Sequence, residues 1–408
     1  MQILTFTPVR TSLRLKPGLD PRSLEFQHVL SALPQDNGQL CIPNRTLGSN
    51  LSDFERKDEQ SYDTRLLIYR QTIENGEIVF HVFPLGMTIV EICLEYRESP
   101  DAAQIDKFAR QSTQELIASH LPVVSKIVAD VVSRIPSAYL DRERLEAVNS
   151  SDDERWIACA VLISSDTLCD PAMHKFLEQW LCDTARPDDA QRLVDGEIDY
   201  SMTWLNYAIV DSTPRRTLML RAAMRLSQVY YAVQHSLNRQ AQLDLSRAQF
   251  EKNARKVKSA LTLTRTRMQM LQIQFGVQKS FMNRTMRSVL DGIMQAWGFD
   301  DVVANGARLI EASSARINEL DRSRREFSTY LTDVILAAIA LIAIMELSLA
   351  LVQYSREFVS RPVLGYTDSS VSQVLSFVAS REIDVLLSGS ALLFVFLVIV
   401  YGLLKRDK

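Results

Sequence analysis

Two long apolar runs near the C-terminus restrict this chain more than any other feature. Residues 334–352 read VILAAIALIAIMELSLALV, in which only Glu346 and Ser348 are polar. Residues 385–404 read VLLSGSALLFVFLVIVYGLL and contain no charge. A helix needs about 20 apolar residues to cross the hydrocarbon core of a bilayer. A soluble core helix is seldom apolar on every face for that length. The expectation is two membrane-spanning helices, 331–354 and 385–404, joined by an external loop 355–384 and followed by a basic tail 405–408.

Flanking cations set the expected orientation. Arg322, Arg324 and Arg325 precede the first run, and Lys405, Arg406 and Lys408 follow the second. Between the runs, Arg356, Arg361 and Arg381 are opposed by Glu357, Asp368, Glu382 and Asp384. Both termini are therefore expected on the cytoplasmic side of a plasma or inner membrane. The amino terminus lacks the apolar core and small residues of a signal peptide, and MQILTFTPV reads as a first strand.

The rest of the chain is polarised in charge. Residues 1–211 hold 20 Lys and Arg against 33 Asp and Glu, a net of −13, whereas 212–290 hold 15 against 2, a net of +13. The acidic segment alternates strand and helix signals. RLLIYRQT (65–72), GEIVFHVF (76–83) and MTIVEICLEYR (87–97) are β-branched and aromatic, with turns at Asn75-Gly76 and Pro84-Leu85-Gly86, and predict an antiparallel meander. Residues 103–134 have helical apolar spacing, 156–163 and 201–210 predict strands, and a helix falls near 171–182. Residues 33–62 are polar and turn-rich, the pattern of a long loop. The fold class expected for 1–211 is α+β, or α/β-like, in the cytosol.

Catalytic signatures are missing from this segment. It has no GxxxxGK[ST], no GxGxxG after a strand, no GxSxG and no HExxH, so neither an enzyme nor a cofactor is expected. The five cysteines are odd in number and form no CxxC pair, consistent with reduced thiols. Cys169, His174 and Cys182 fall short of a zinc ligand set.

From Pro214, a residue suited to open a helix, the pattern becomes helical through 330. Apolar residues recur at three- and four-residue steps: Met219, Ala222, Leu226, Val229 and Val233, then Phe250, Ala254, Val257, Leu261, Thr264, Met268, Leu271 and Phe275. That spacing predicts a basic helical, coiled-coil stalk over 212–330, whose second helix, roughly 302–330, runs without a breaker into the first span. Lys252, Arg255, Lys256, Lys258, Arg265 and Arg267 belong to a stretch of cations without an acid. Solvated helix faces normally mix both signs, so an anionic partner is expected there. An acidic protein surface, first of all the 1–211 domain of this chain or of a neighbour, ranks ahead of anionic lipid. Nucleic acid ranks last, because no stacking or reading motif accompanies the charge.

Glu346 is the most informative residue of the spans. A carboxyl near mid-span costs about 2.5–3.5 kcal/mol on insertion scales and faces a bundle interior or water. Thr332, Ile339 and Gln353 share its face at seven-residue steps, and Ala343 and Ala350 flank it. Copies of this narrow face around an axis would make a pore with a carboxylate ring, which favours cations. The alternative is a protonated Glu346 bonded to another helix. In the second span, Ser388-Gly389-Ser390-Ala391 permits close helix approach.

This layout resembles the CorA-type magnesium and cation channel family. The resemblance rests on the helix and span 302–352, the span 385–404 and the tail Lys405-Arg406-Asp407-Lys408. That family carries Gly-Met-Asn at the outer end of its first span, whereas this chain has Leu351-Val352-Gln353-Tyr354-Ser355-Arg356. Magnesium selectivity is therefore not implied. The resemblance implies a homo-oligomer, with a pentamer among its forms, whose first span lines the axis and passes or gates cations, and a diverged member without the triplet would be a nonselective pore or a ligand-gated membrane effector. The rival expectation is a membrane-anchored coiled-coil scaffold without transport.

Overall fold

The computed structural model describes residues 1–16, 19, 24–43, 64–97, 101–141, 156–182, 188–202, 205–211, 213–251 and 253–360, with separate positions between 377 and 396. It has an N-terminal mixed sheet followed by a mostly helical remainder. The strands are β1 (Gln2–Arg14), β2 (Leu40–Cys41), β3 (Leu67–Ile73), β4 (Gly76–Phe83), β5 (Leu85–Glu95), β6 (Ala158–Ser164), β7 (Tyr200–Met202) and β8 (Asn206–Asp211). They form one sheet in the order β2-β3-β4-β5-β1-β6-β8-β7. Among the described residues only β6 and β8 pair in parallel.

The meander β3-β4-β5 follows from local chemistry. Ile73 pairs with Gly76 across the two-residue turn Glu74-Asn75. Gly76 has φ +154°, and a Cβ there would lie 1.8 Å from the Cys93 carbonyl oxygen, so only glycine fits. The strand predicted over 201–210 is instead two antiparallel strands, β7 and β8. The apolar pattern runs through both arms and hides the reversal.

Alternate strand residues face opposite cores. Val9 and Leu13 of β1 with Phe80, Val82, Val90 and Ile92 pack against α1 (Leu24–Ser31) and α2 (Ala102–Arg134). On the same face, Ile3, Cys159, Val161 and Ala208 meet α3 (Pro171–Leu181) and α4 (Asp189–Val194). On the other face, Leu4, Phe6, Met87, Ile89 and Ile209 pack beneath α5 (Pro214–Phe250), α6 (Ala254–Phe281), α7 (Arg284–Ala296) and the start of α8 (Phe299–Ser360).

Side-chain caps start these helices. Asp101 accepts from Gln104 N (2.9 Å), Thr213 from Arg216 N (3.3 Å) with Pro214 beside it, and Asn253 from Lys256 N (3.2 Å). Asn253 explains one departure from the expected pattern. The apolar series through Phe250 and Val257 is not one seam, because the helix stops at Phe250 and restarts at Ala254. Phe250 is 81% exposed, while Met219, Leu226, Val229 and Val233 of α5 are buried in the sheet core. The seam of α6 likewise joins that core through Met268, Leu271 and Phe275.

Two compact units divide the chain, Met1–Ile317 and Asn318–Lys408. The charge reversal near residue 211 thus marks a change of element type inside the first unit. In that unit α8 approaches α5 closely at Gly306, where a Cβ would lie 2.6 Å from Gln234 Nε2 and 2.9 Å from Asn238 Oδ1. Asn238 Nδ2 donates to the Val302 carbonyl (2.8 Å).

Candidate functional site

Among the described residues two helices are long and apolar enough to cross a membrane, Ala102–Arg134 and Phe299–Glu357. The first, α2, buries Ile105, Ala109, Thr113, Ile117, Val124, Val128 and Val131 at regular helical steps, and Thr113 Oγ1 bonds Thr5 Oγ1 of β1 (2.8 Å). Its apolar stripe covers the sheet. The second contains the predicted first span. Its residues Phe327, Tyr330, Leu331, Ile335, Leu336, Ile339, Ile342 and Leu347 are all exposed, an apolar surface that water does not favour. The predicted second span lies mostly outside the described residues. Those described within it are helical and, apart from the half-buried Phe394, exposed, including Leu392 (71%) and Phe396 (61%).

Within the second unit, the two faces of α8 differ. Asp333, Ala337, Leu341, Ile344 and Ser348 are half-buried, and Val352 and Ser355 are buried, at steps of three and four. Thr332, Ile339, Ala343, Glu346, Ala350 and Gln353 are exposed. At about 100° per residue the two stripes lie about 170° apart. The Glu346 face belongs to the exposed part of the helix, opposite the half-buried stripe. Among the described residues, Glu346 has neither an ion pair nor a hydrogen bond, whereas Ser348 Oγ is satisfied by the Ile344 carbonyl (2.8 Å).

The cations singled out in the helical region do not share one surface. Lys252 lies outside the described residues. Arg255 and Lys256 are exposed, with Lys256 Nζ 3.3 Å from Glu251, and Lys258 is half-buried. Arg265 Nη1 donates to Ser314 Oγ of α8 (3.2 Å). Arg267 is buried and grips Asp141 with Nε (2.7 Å) and Nη2 (2.5 Å). Arg14 approaches the same carboxylate at 3.6 Å. Arg216 similarly holds Asp199 with two bonds, 2.6 and 2.9 Å. Basic helices and acidic strands and loops therefore pair within the chain.

The most heavily charged buried site was not singled out by its sequence. Glu91 of β5 is 1% exposed and points under α5. Its Oε1 accepts from Arg221 Nε (2.5 Å), and its Oε2 accepts from Arg225 Nη1 (2.8 Å) and His81 Nε2 (2.9 Å). Arg65 Nη1 lies 3.0 Å from His81 Nδ1, so His81 is neutral, accepting at Nδ1 and donating at Nε2. Burial and then Arg225 lower the His81 pKa to about 3. For Glu91, burial alone would raise the pKa. Arg225, the His81 bond and Arg221 outweigh it and hold the carboxyl well below its usual range. One signal was legible beforehand: a lone acid inside TIVEICL, with two arginines four apart on the helix that covers it.

Among the described residues no group of three or more His, Cys, Asp or Glu side chains could hold a metal ion. His174 faces Glu178 at 3.7 Å and Cys182 is exposed at the end of α3. All members of the Glu91 cluster are engaged by one another, an arrangement that fastens β4 and β5 to α5. Compared with family models, curated proteins and solved structures, the chain shows no match to any of them.

Proposed function

We propose that this chain is an oligomeric integral membrane protein that passes or gates cations, with 331–354 lining a central axis and both termini in the cytoplasm. The observation that carries the reading is the position of Glu346. It sits in a helix too apolar for water, on an exposed face opposite the half-buried stripe, with no partner among the described residues. A carboxyl in that position is satisfied by water or by another copy, and a ring of copies meets both needs. The resemblance in layout to CorA-type channels supports a homo-oligomer, a pentamer among its forms. In this reading the acidic 1–211 segment acts as a sensor on the basic helices, a role supported by the pairs Glu91–Arg221, Glu91–Arg225, Asp199–Arg216 and Asp141–Arg267.

The test is cation flux through the purified chain in liposomes. The wild type should conduct, and Glu346→Gln or Glu346→Ala should change the rate or the ion preference. No flux from either would overturn the channel reading. A second reading is favoured by Ala343 and Ala350, whose small side chains let a neighbouring helix reach a protonated Glu346. In that case the spans tether a coiled-coil scaffold and transport nothing.

A further inference from the structure

We infer that the outward face of α6 is a contact surface for the basic helices of a second copy of this chain, an inference that rests on the homo-oligomer in the reading above. Ile273 and Val277, one turn apart, are 56% and 52% exposed, and Gly276 beside them is exposed as well. A Cβ at Gly276 would meet nothing within 4 Å, so another helix can come close there. At about 100° per residue, Ser259, Thr262, Thr266, Gln269 and Ser280 lie within about 40° of Ile273. Ser259, Gln269 and Ser280 are exposed and the two threonines half-buried. Thr266 and Ser280 turn their hydroxyls back onto the carbonyls of Thr262 (2.9 Å) and Val277 (2.6 Å), so they ask little of water. From Ser259 to Ser280 this face carries no charge.

Solvated helix faces normally mix both signs, and the same helix has cations on its other sides. Arg265 is bonded to Ser314 (3.2 Å), Arg267 to Asp141 and Lys279 to Asp291. Charge decides the occupant. An acidic protein or an anionic headgroup would be drawn to cations, and this strip offers none. A second copy brings helices of the same sign, since 212–290 has a net charge of +13. Like charges set against each other at a contact are costly, so two such helical regions can pack together only where neither is charged. The strip is about 33 Å long and about 10 Å wide, which gives about 300 Å² per copy, less than the roughly 800 Å² of a free-standing interface. It therefore adds to contacts made elsewhere in the oligomer.

The test co-expresses full-length chains bearing two different affinity tags, with a photoreactive phenylalanine analogue in place of Ile273 in one of them, and irradiates the cells. A product that joins the two tags should form, and its cross-linked peptide should map to 214–296 of the second copy. Val277→Lys in both chains should lower its yield by about tenfold. Gly276→Leu should lower it as well, although its side chain has open space in its own chain. Both changes are on the exposed face, so the denaturation midpoint of the chain should not fall, which reports folding. Cross-links confined to the chain that carries the analogue would assign the strip to a segment of the same chain and overturn the inference. A product mapping to 1–211 of the second copy would overturn the charge argument and the inference with it. Tags that copurify without any cross-link from position 273 would overturn the inference and leave the homo-oligomer standing. Tags that do not copurify would remove the homo-oligomer itself.

Discussion

Glu91 and Glu346 are the same residue type, each surrounded by apolar sequence, with opposite surroundings. Glu91 lies in a strand, is 1% exposed, and receives three hydrogen bonds from Arg221, Arg225 and His81. Glu346 lies in a helix, is exposed, and receives none among the described residues. A buried carboxylate persists only when its charge is matched nearby. The first unit supplies that match from within one chain. Among the described residues the second supplies none, and the functional proposal follows from that contrast.

The contrast breaks most sharply if Glu91 proves dispensable. Glu91→Ala removes a buried carboxylate from two half-buried guanidiniums and should destabilise the first unit by about 3–5 kcal/mol, read as a lowered denaturation midpoint in detergent. A change below 1 kcal/mol on the order of a surface pair would mean that the cluster is solvated. Glu346→Leu should do the reverse. It removes an insertion cost of about 2.5–3.5 kcal/mol, so a glycosylation-reporter assay should show better insertion of 331–354 while cation flux is lost. Worse insertion would contradict a lipid-immersed position.

Gly306→Val tests the packing of α8 on α5 within the first unit and should cost about 1–3 kcal/mol through overpacking against Gln234 and Asn238, again as a lowered midpoint. An unchanged midpoint would show that those side chains swing away freely. The charge cluster also predicts a pH dependence. His81 folds with its pKa lowered from 6.5 to about 3, so between these values the unfolded chain binds a proton that the folded chain does not. Stability should therefore fall as pH drops below about 6.5, by about 1.4 kcal/mol per unit for this one group. Glu91 adds to the loss at lower pH, because its folded carboxyl is held well below the usual range and its contribution disappears as it protonates. His81→Gln should flatten the profile between pH 4 and 6 by about that slope, measured by urea denaturation at each pH. A profile as steep as that of the wild type would assign the acid sensitivity elsewhere. The smallest effect should come from the exposed pair Arg134–Asp130, where Arg134→Ala should change stability by less than about 1 kcal/mol.

Much of the first unit was legible because its signals are local. The turn before Gly76, placed one residue late by the sequence, the meander around it, the helix over 102–134 and the start of α5 at Pro214 each depend on a few neighbouring residues. The break between Phe250 and Ala254, capped by Asn253, was missed because the apolar series resumes with nearly unchanged spacing. The hairpin at 200–211 was hidden because both of its arms are apolar. For the candidate sites, the face of Glu346 follows from helical spacing alone. Its lying opposite the half-buried stripe does not, because that depends on which residues the rest of the described unit covers.

By itself the sequence determined where this chain turns, caps and becomes too apolar for water, since those properties arise within one or two turns of backbone. Only the tertiary structure decided which charges are matched. Glu91 finds Arg221 and Arg225 across 130 and 134 residues, and Arg267 finds Asp141 across 126. Charge counts along the chain reveal an acidic half and a basic half, but the individual pairs depend on the order of strands in the sheet. The physical reason is that an ion pair is specified by position in space, and no local periodicity encodes contacts made over such separations.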